Sequence, residues 1–472
     1  MSDGAPRRVV VVGGGVSGLT AAYRLTQADP SIDVTVLETE DRPGGKLRSI
    51  EVGGLVLPAG ADSFVARKPW AVDLCKELGL GSELVSPASS GAFMWTDRGL
   101  VPCLREAPFG IPGDVGDVFR WPGISRAGRR RALLDLVKAK RKIDADETLG
   151  SLLRRRLGDE VTDLAVGPLL GGLFAGDVDR LSVRATFPEL EAWERSQGSL
   201  IRGSQAASRN ARRGAAPPPM FVKPRTGVDR LTDTLAERLG ARVRTGVAAE
   251  TVTQAFGGGW RVALRGGAGP VAADAVVMAT PGPVTAGLVA AASPEVASEL
   301  GGIPYASTGV IAMVYPPGTQ PAIQDGSGFV VPRGKAPMTA ATWLSSKWPG
   351  EAFGTRAVVR CYVGAVGEED VLDADDADLI EACARHLAAV VPLSDMPEHA
   401  EVVRWPASMP QYELDHLERV ARIREALPAG IFVVGQPCDG VGVPDCVRGA
   451  GETADRVVAH LAGAPMREET VR

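Results

Sequence analysis

The chain has 472 residues, 45% of them apolar and 23% charged, and a formal net charge of −5 at pH 7. That length suggests about three domains with room for a large core and a buried cofactor, in a composition ordinary for a soluble globular protein. The weak negative charge offers no basic field to nucleic acid, and no run of about eighteen apolar residues is present to span a membrane.

The opening MSDGAPRR leads straight into the apolar run Val9 to Val12, so no signal peptide is expected. Four consecutive valines read as a parallel strand buried on both faces. Gly13, Gly15 and Gly18 follow at once, and a helix is predicted from Ser17 to Gln27. In this G-x-G-x-x-G pattern Gly13 permits the tight turn, Gly15 lets a pyrophosphate approach the backbone, and Gly18 lets helix and strand pack closely. Gly14, Val16 and Ser17 complete a turn whose free N–H groups and helix dipole suit phosphates. A second strand, Val34 to Leu37, ends at Glu38 and Thr39. Glu38 can accept hydrogen bonds from an adenosine ribose, and an acid there argues against a ribose 2′-phosphate.

Next comes Asp41-Arg42-Pro43-Gly44-Gly45-Lys46. It resembles the Arg-x-Gly-Gly-Lys/Arg extension of FAD oxidases of the amine oxidase and protoporphyrinogen oxidase type, which implies FAD rather than NAD. In that resemblance Arg42, Gly45 and Lys46 bring the chain back to the diphosphate with a second bare-backbone turn and a cation. Gly60-Ala61-Asp62-Ser63 is a small-residue turn that can pass close to the flavin, its plain alternative being a hairpin loop. Arg67 and Lys68 stand before a helix predicted from Trp70 to Leu78; such adjacent cations are ordinarily solvated surface.

Residues 86 to 123, rich in Gly and Pro, read as short strands and loops. From Arg126 to Leu157 basic clusters alternate with leucines at helical spacing, with Leu133, Leu134 and Val137 on one face and Arg129 to Arg131, Lys138, Lys140 and Arg141 on the other. That basic face suits anionic lipid or an acidic partner, or plain solvent, and Asp144 to Glu147 close it. Gly172-Leu173-Phe174-Ala175-Gly176-Asp177, Leu181 to Pro188 and Gly198-Ser199-Leu200-Ile201 resemble the corresponding stretch of protoporphyrinogen and coproporphyrinogen oxidases of haem biosynthesis. Residues 205 to 219 read as a polar, mobile linker.

The nucleotide-binding part then resumes with a helix from Gly227 to Leu239, a strand near Val243, an antiparallel pair at Glu250 to Gln254 and Trp260 to Leu264, and a strand Ala275 to Met278. By resemblance the backbone at Val247 meets the adenine. Strand-like runs at Gly309 to Val314, Gly328 to Val331 and Ala357 to Val363 alternate with an acidic helix, Asp375 to Val390. Thr342 to Pro349 and Arg360 to Gly364 resemble the soluble bacterial branch of the family. Arg404-Trp405-Pro406, followed by Pro410-Gln411-Tyr412, resembles its segment beside the flavin, which makes Trp405 the candidate contact. A last buried strand, Ile431 to Val434, precedes a glycine-rich turn with Gly442, Val443 and Pro444, close to the family's Gly-Val-Gly-Ile-Pro-Asp-Cys. A helix predicted from Gly451 to Leu461 offers its N-terminus to the electron-rich edge of a reduced flavin. The tail after Pro465 is expected to fray.

Six scattered cysteines form no C-x-x-C pair and read as reduced thiols of a cytoplasmic protein. Four late histidines, with His416 read as helix surface, lack metal-ligand spacing, so no metal is expected. A G-x-S-x-G elbow is absent, which leaves the chemistry to the flavin.

The resemblance covers nearly the whole chain. It implies an α/β fold of the amine oxidase and protoporphyrinogen oxidase kind: a discontinuous Rossmann-like FAD domain (1–63, 216–295, 426–472), a mixed-sheet substrate domain (64–90, 296–425) and a helical insert (91–215). The implied reaction is the six-electron aromatisation of coproporphyrinogen III to coproporphyrin III by dioxygen, releasing hydrogen peroxide. Four propionates on that substrate want cations at the cavity rim, and Arg67 and Lys68 match such a position. Membrane-attached relatives carry Gly-Pro-Arg-Ser where this chain has Gly60-Ala61-Asp62-Ser63, so a propionate-holding cation is missing there. No catalytic acid or base is singled out. The alternatives are a protoporphyrinogen IX oxidase, another FAD oxidase or desaturase of this fold, and a non-catalytic flavoprotein whose basic insert docks ferrochelatase. The expected location is the cytoplasm, with peripheral contact at the inner face of the membrane as an option.

Overall fold

The computed structural model describes residues 7–463 except 90, 105–106, 141–144, 214–218, 268, 324–325 and 349–352. Its organising element is a fully parallel sheet in the order Val243–Arg244, Asp33–Leu37, Arg8–Val12, Ala275–Met278, Ile431–Val433. The valine run explains the two-sided burial, because alternate side chains enter different cores. Val9 and Val11 pack towards the helices Val16–Ala28, Asp229–Leu239 and Val443–Leu461, whereas Val10 and Val12 pack towards a three-stranded antiparallel sheet and the helix Pro294–Gly301.

A second, seven-stranded mixed sheet runs in the order His399–Pro410, Tyr305–Val314, Val358–Val363, Met338–Trp343, Gly328–Val330, Ala92–Thr96, Gly99–Pro102. Val359, Cys361 and Val363 of its third strand join one core with the helix Asp376–Ala388. On the opposite face, Ala312, Val314 and Val358 are buried at one end, and Met94 is buried at the other against a helical layer. Between those ends Thr308, Thr342 and Tyr362 stay half-buried although they stand on interior strands. Partly accessible side chains in the middle of a wide sheet mean a cleft over that face.

The helical layer depends on a buried ion pair. Arg156 and Asp135 are both inaccessible, 2.6 Å apart. Asp135 also accepts hydrogen bonds from the Ser199 hydroxyl at 2.6 Å and the Ile201 amide at 2.9 Å, so its carboxylate ties three helical segments.

Several boundaries differ from the sequence expectation. Ala92–Thr96 and Gly99–Pro102 are the last two strands of the seven-stranded sheet, Gly99–Pro102 at its edge, rather than part of the insert 91–215. Residues 64–80, assigned to the substrate domain, bury Phe64, Ala71, Leu74, Cys75 and Leu78 in the core around the Val16–Ala28 helix. Val296, Leu300, Ile303 and Ile423 likewise face the parallel sheet. The expected linker is helical as far as Arg213, in Leu200–Arg213, and its residues 214–218 lie outside the described residues. The last helix begins at Val443, not Gly451. Its Gly449 is not a break but a site of close packing, since a Cβ there would lie 2.4 Å from the Asp439 carboxyl. His416 is buried and stacked on Tyr412 at 4.0 Å, and burial lowers its pKa to about 4. The basic face is at the surface, with Arg130, Lys138 and Lys140 exposed, but part of it bonds to the chain itself: Arg129 donates to the Phe119 and Trp121 carbonyls, and Arg131 and Lys138 cap carbonyls at the end of the helix Leu149–Leu157. Arg141, Asp144 and the tail after Pro465 lie outside the described residues.

Truncating Asp135 should take from the buried Arg156 its nearest carboxylate, leaving it Glu194 at 3.5 Å and backbone carbonyls, and should strand the Ser199 hydroxyl and the Ile201 amide. Asp135→Ala is expected to lower the unfolding free energy by about 2–3 kcal/mol, with Asp135→Asn, which keeps hydrogen-bonding capacity, losing less. Denaturant titration checks this, and a loss below about 1 kcal/mol for Asp135→Ala would mean the pair does not hold the layer.

Candidate functional site

Gly13 leaves the first strand with φ +108°, and a Cβ on it would lie 2.8 Å from the Ala279 carbonyl oxygen. A Cβ at Gly18 would lie 1.9 Å from the Gly13 carbonyl oxygen, so helix and turn are in backbone contact. Gly15 differs: its φ is −75° and a Cβ there would meet nothing within 4 Å. The open space therefore stands in front of Gly15, at the N-terminus of Val16–Ala28, whose Ser17 is buried. The second turn folds onto the first. The Gly44 amide donates to the Gly14 carbonyl at 2.8 Å, and a Cβ at Gly45 would come within 3.4 Å of the Gly15 Cα.

Glu38 stands beside this cradle. Its carboxylate accepts from the Gly14 amide at 2.7 Å and the Glu40 amide at 2.9 Å, while Thr39 next to it is exposed. The Val247 amide donates to the Glu38 carbonyl at 2.8 Å, which brings the expected adenine-side residue to the same corner. Arg42 donates from Nη2 to the Leu47 carbonyl at 3.4 Å, and its buried Nη1 has no hydrogen-bond partner among the described residues. A bare backbone turn, a helix N-terminus and an unsatisfied guanidinium nitrogen together suit a diphosphate, so these residues fit FAD.

Lys46 leaves the turn in another direction. Its Nζ donates to the Ser408 carbonyl and to Gln436 Oε1, and burial lowers its pKa to about 8, so it remains a cation at neutral pH. Ser408 reaches it because the strand His399–Pro410 bulges. Thr308 pairs with Trp405 and Ala306 with Met409, and Ala407 inside the bulge has φ +43°. From the other side comes the C-terminal segment. A Cβ at Gly435 would lie 3.0 Å from Ser17 Oγ, Gln436 Nε2 donates to the Val441 carbonyl, and Gly442 caps the helix that starts Val443-Pro444.

The third turn, 60–63, packs on the second: a Cβ at Gly60 would lie 1.9 Å from the Lys46 carbonyl oxygen. Trp405 donates from its indole nitrogen to the Ala59 carbonyl at 2.9 Å. Asp62 forms an ion pair with Lys347 at 2.7 Å and accepts from the Ser63 hydroxyl at 2.8 Å. Burial opposes the Asp62 charge, but Lys347, Arg360 and these hydrogen bonds outweigh it and hold the carboxyl down at about 2. Ala61 packs against the cofactor-side core. Lys68 forms an ion pair with Asp445 in the first turn of the final helix at 2.7 Å, and the Arg67 guanidinium lies 5.5 Å from the centre of the Phe109 ring.

The structure thus gathers the turns at 13–18, 42–46, 60–63 and 442–444 with Glu38, Val247 and Trp405, and sets Arg67 and Lys68 where the helical layer meets the final helix. Lys347, Arg360, Ser408 and Gln436 received no site role from the sequence, and Tyr412, which the resemblance puts in the segment beside the flavin, donates its hydroxyl to the Gln436 carbonyl. Arg360 alone carried a usable signal, a charge among Val358, Val359 and Cys361 of an apolar strand.

A family model described as flavin containing amine oxidoreductase matches residues 16–458. The coproporphyrinogen III oxidase of Bacillus subtilis (strain 168) is 32% identical over 95% of this chain and 97% of its own length. That of Mycobacterium tuberculosis (strain H37Rv) is 33% identical over 97% and 98%. The crystal structure of a protein from Exiguobacterium sp. 255-15, assigned as a protoporphyrinogen oxidase, superposes with a TM-score of 0.87 at 30% identity, covering 98% of this chain and 100% of that one.

Two measurements test the site. Gly15→Ala should change the unfolding free energy by less than about 1 kcal/mol yet weaken FAD binding at least about tenfold, whereas Gly18→Ala should destabilise the protein by about 1–3 kcal/mol. FAD titration and denaturant melts separate the two, and wild-type FAD affinity in Gly15→Ala would put the diphosphate elsewhere. The Asp62 carboxyl, down at about 2 against 3.8 for a free aspartate, contributes about 2 kcal/mol above pH 3.8 that is lost as pH falls through 2. Stability curves of wild type and Asp62→Asn should therefore converge across that window, and parallel curves would contradict the ion pair.

Proposed function

The chain belongs to the flavin-containing amine oxidoreductase family, and on that premise we propose that it oxidises coproporphyrinogen III to coproporphyrin III with bound FAD, dioxygen leaving as hydrogen peroxide. The observation that carries this reading is the meeting of four turns, distant in sequence, beside a partly accessible region of a broad sheet face, at Thr308, Thr342 and Tyr362. When bound, FAD supplies the hydride acceptor for the methylene bridges of the macrocycle. The chain's own work is to hold and orient. Gly13 to Gly18 and Arg42 bind the diphosphate, Glu38 the ribose, and the N-terminus of Val443–Leu461 faces the electron-rich edge of the ring. Thr308, Thr342 and Tyr362 shape the slot for a flat substrate, and aromatisation provides the driving force, so orientation suffices.

Arg67 and Lys68 are the cations we assign to the substrate propionates. Lys68 is 40% exposed in its pair with Asp445, which leaves donor capacity towards the rim. Asp62, standing where a cation would hold a propionate in membrane-attached relatives, is neutralised from within by Lys347 and so does not repel the substrate. No helix among the described residues is long and apolar enough to cross a membrane. Peripheral attachment is the weaker reading, since Arg129, Arg131 and Lys138 are engaged with backbone carbonyls.

The deciding experiment compares initial rates on coproporphyrinogen III and protoporphyrinogen IX in air, followed by growth of Soret absorbance and by peroxide. The tetracarboxylate is expected to react at least about tenfold faster in kcat/KM, equivalent to about 1.4 kcal/mol of discrimination. A faster reaction with protoporphyrinogen overturns the substrate assignment, and a flavin-loaded protein inert towards both overturns the enzyme.

A further inference from the structure

Behind the 60–63 turn lies a cation that the proposed reaction does not use. Alternation along Val358–Val363 sends Val359, Cys361 and Val363 to the core under Asp376–Ala388 and turns Arg360 and Tyr362 to the opposite face, where the cleft is. Arg360 is 0% exposed. Its guanidinium carbon lies 5.1 Å from the centre of the Tyr362 ring, and Nη2 donates to the Gly60 carbonyl. Nε and Nη1 are buried without a hydrogen-bond partner among the described residues.

A guanidinium placed there only to pin a loop would be a poor choice, because a buried charge with few partners is penalised where a neutral amide could make the same bond. The carboxylate that the Arg360 charge acts on, Asp62, is already ion-paired with Lys347 at 2.7 Å. Two buried cations against one carboxylate leave an excess positive charge behind Gly60 and Asp62. Through the Gly60 carbonyl, the guanidinium also polarises the Gly60–Ala61 peptide, making the Ala61 N–H a stronger donor.

We propose that Arg360 is a positioning residue of the redox centre, whose uncompensated charge and bond to Gly60 favour the electron-rich form of the bound flavin and so raise its reduction potential. This rests on the reading that the 60–63 turn lies against the flavin. The charge acts at equilibrium, so its signature is thermodynamic and separable from turnover.

The test is the two-electron midpoint potential of the FAD-loaded protein, measured by equilibration with a reference dye, together with the FAD dissociation constant. Arg360→Met should lower the equilibrium constant for reduction at least about tenfold, a shift of about 30 mV to more negative potential, and Arg360→Lys should recover most of it by keeping the charge. Asp62→Asn, which removes the counter-charge, should shift the potential the opposite way, and it decides the matter if Arg360→Met does not fold. Unchanged potentials with FAD still bound, or equal shifts in the Met and Lys variants, overturn the role of Arg360 while leaving the flavin site intact. A wild-type chain that binds no FAD overturns the site itself and this inference with it.

Discussion

Everything in this molecule depends on how closely bare backbone can approach bare backbone. The turn after the first strand touches the helix it starts, the Gly44-Gly45 turn lies on that first turn, and Gly60 lies on the carbonyl of Lys46. A Cβ at 1.9 Å from a carbonyl oxygen, as at Gly18 and Gly60, has no room to exist. Three layers of turn are thus stacked with no side chain between them, and the one glycine with free space before it, Gly15, marks where the stack opens towards a ligand. Close packing around an opening is what lets peptide N–H groups act as the binding surface.

Charge does a complementary job between parts of the chain that are distant in sequence. Asp62 with Lys347 joins the third turn to the seven-stranded sheet, Lys68 with Asp445 joins the 67–68 loop to the last helix, and Asp135 with Arg156 ties the helical layer to itself. Buried pairs add little net stability over apolar packing, but a wrong partner leaves an ion stranded. They fix which surfaces meet. Lys46 plays a similar part with neutral partners, crossing from the cofactor turn to the bulge at Ser408 and to Gln436.

The elements governed by local rules were legible in the sequence. The valine strand, the glycine pattern, the Ala275–Met278 strand and the acidic helix Asp376–Ala388 follow from periodicity and turn chemistry over short windows. The Val247 amide also bonds to the Glu38 carbonyl, so two residues read from separate stretches share one corner. What the sequence did not reveal was set by long-range contact. Gly449 and Gly451 read as a helix boundary, because the Asp439 side chain that requires a glycine at 449 comes from another segment. Residues 64–80 read as substrate-side although their apolar face belongs to the Val16–Ala28 helix. The bulge at residue 407 and the burial of Lys347 and Arg360 have no local signature beyond a charge in an apolar strand.

The order of the parallel sheet has an outcome for biosynthesis. Its edge strand, Ile431–Val433, pairs with Ala275–Met278, and the final helix, Val443–Leu461, packs over the first one. The strand Arg8–Val12 and the helix Val16–Ala28 therefore wait for residues 431 to 461 before their hydrophobic faces are covered. A nascent chain stalled before residue 431 leaves the inner strand Ala275–Met278 with an unpaired edge open to chaperones or to aggregation.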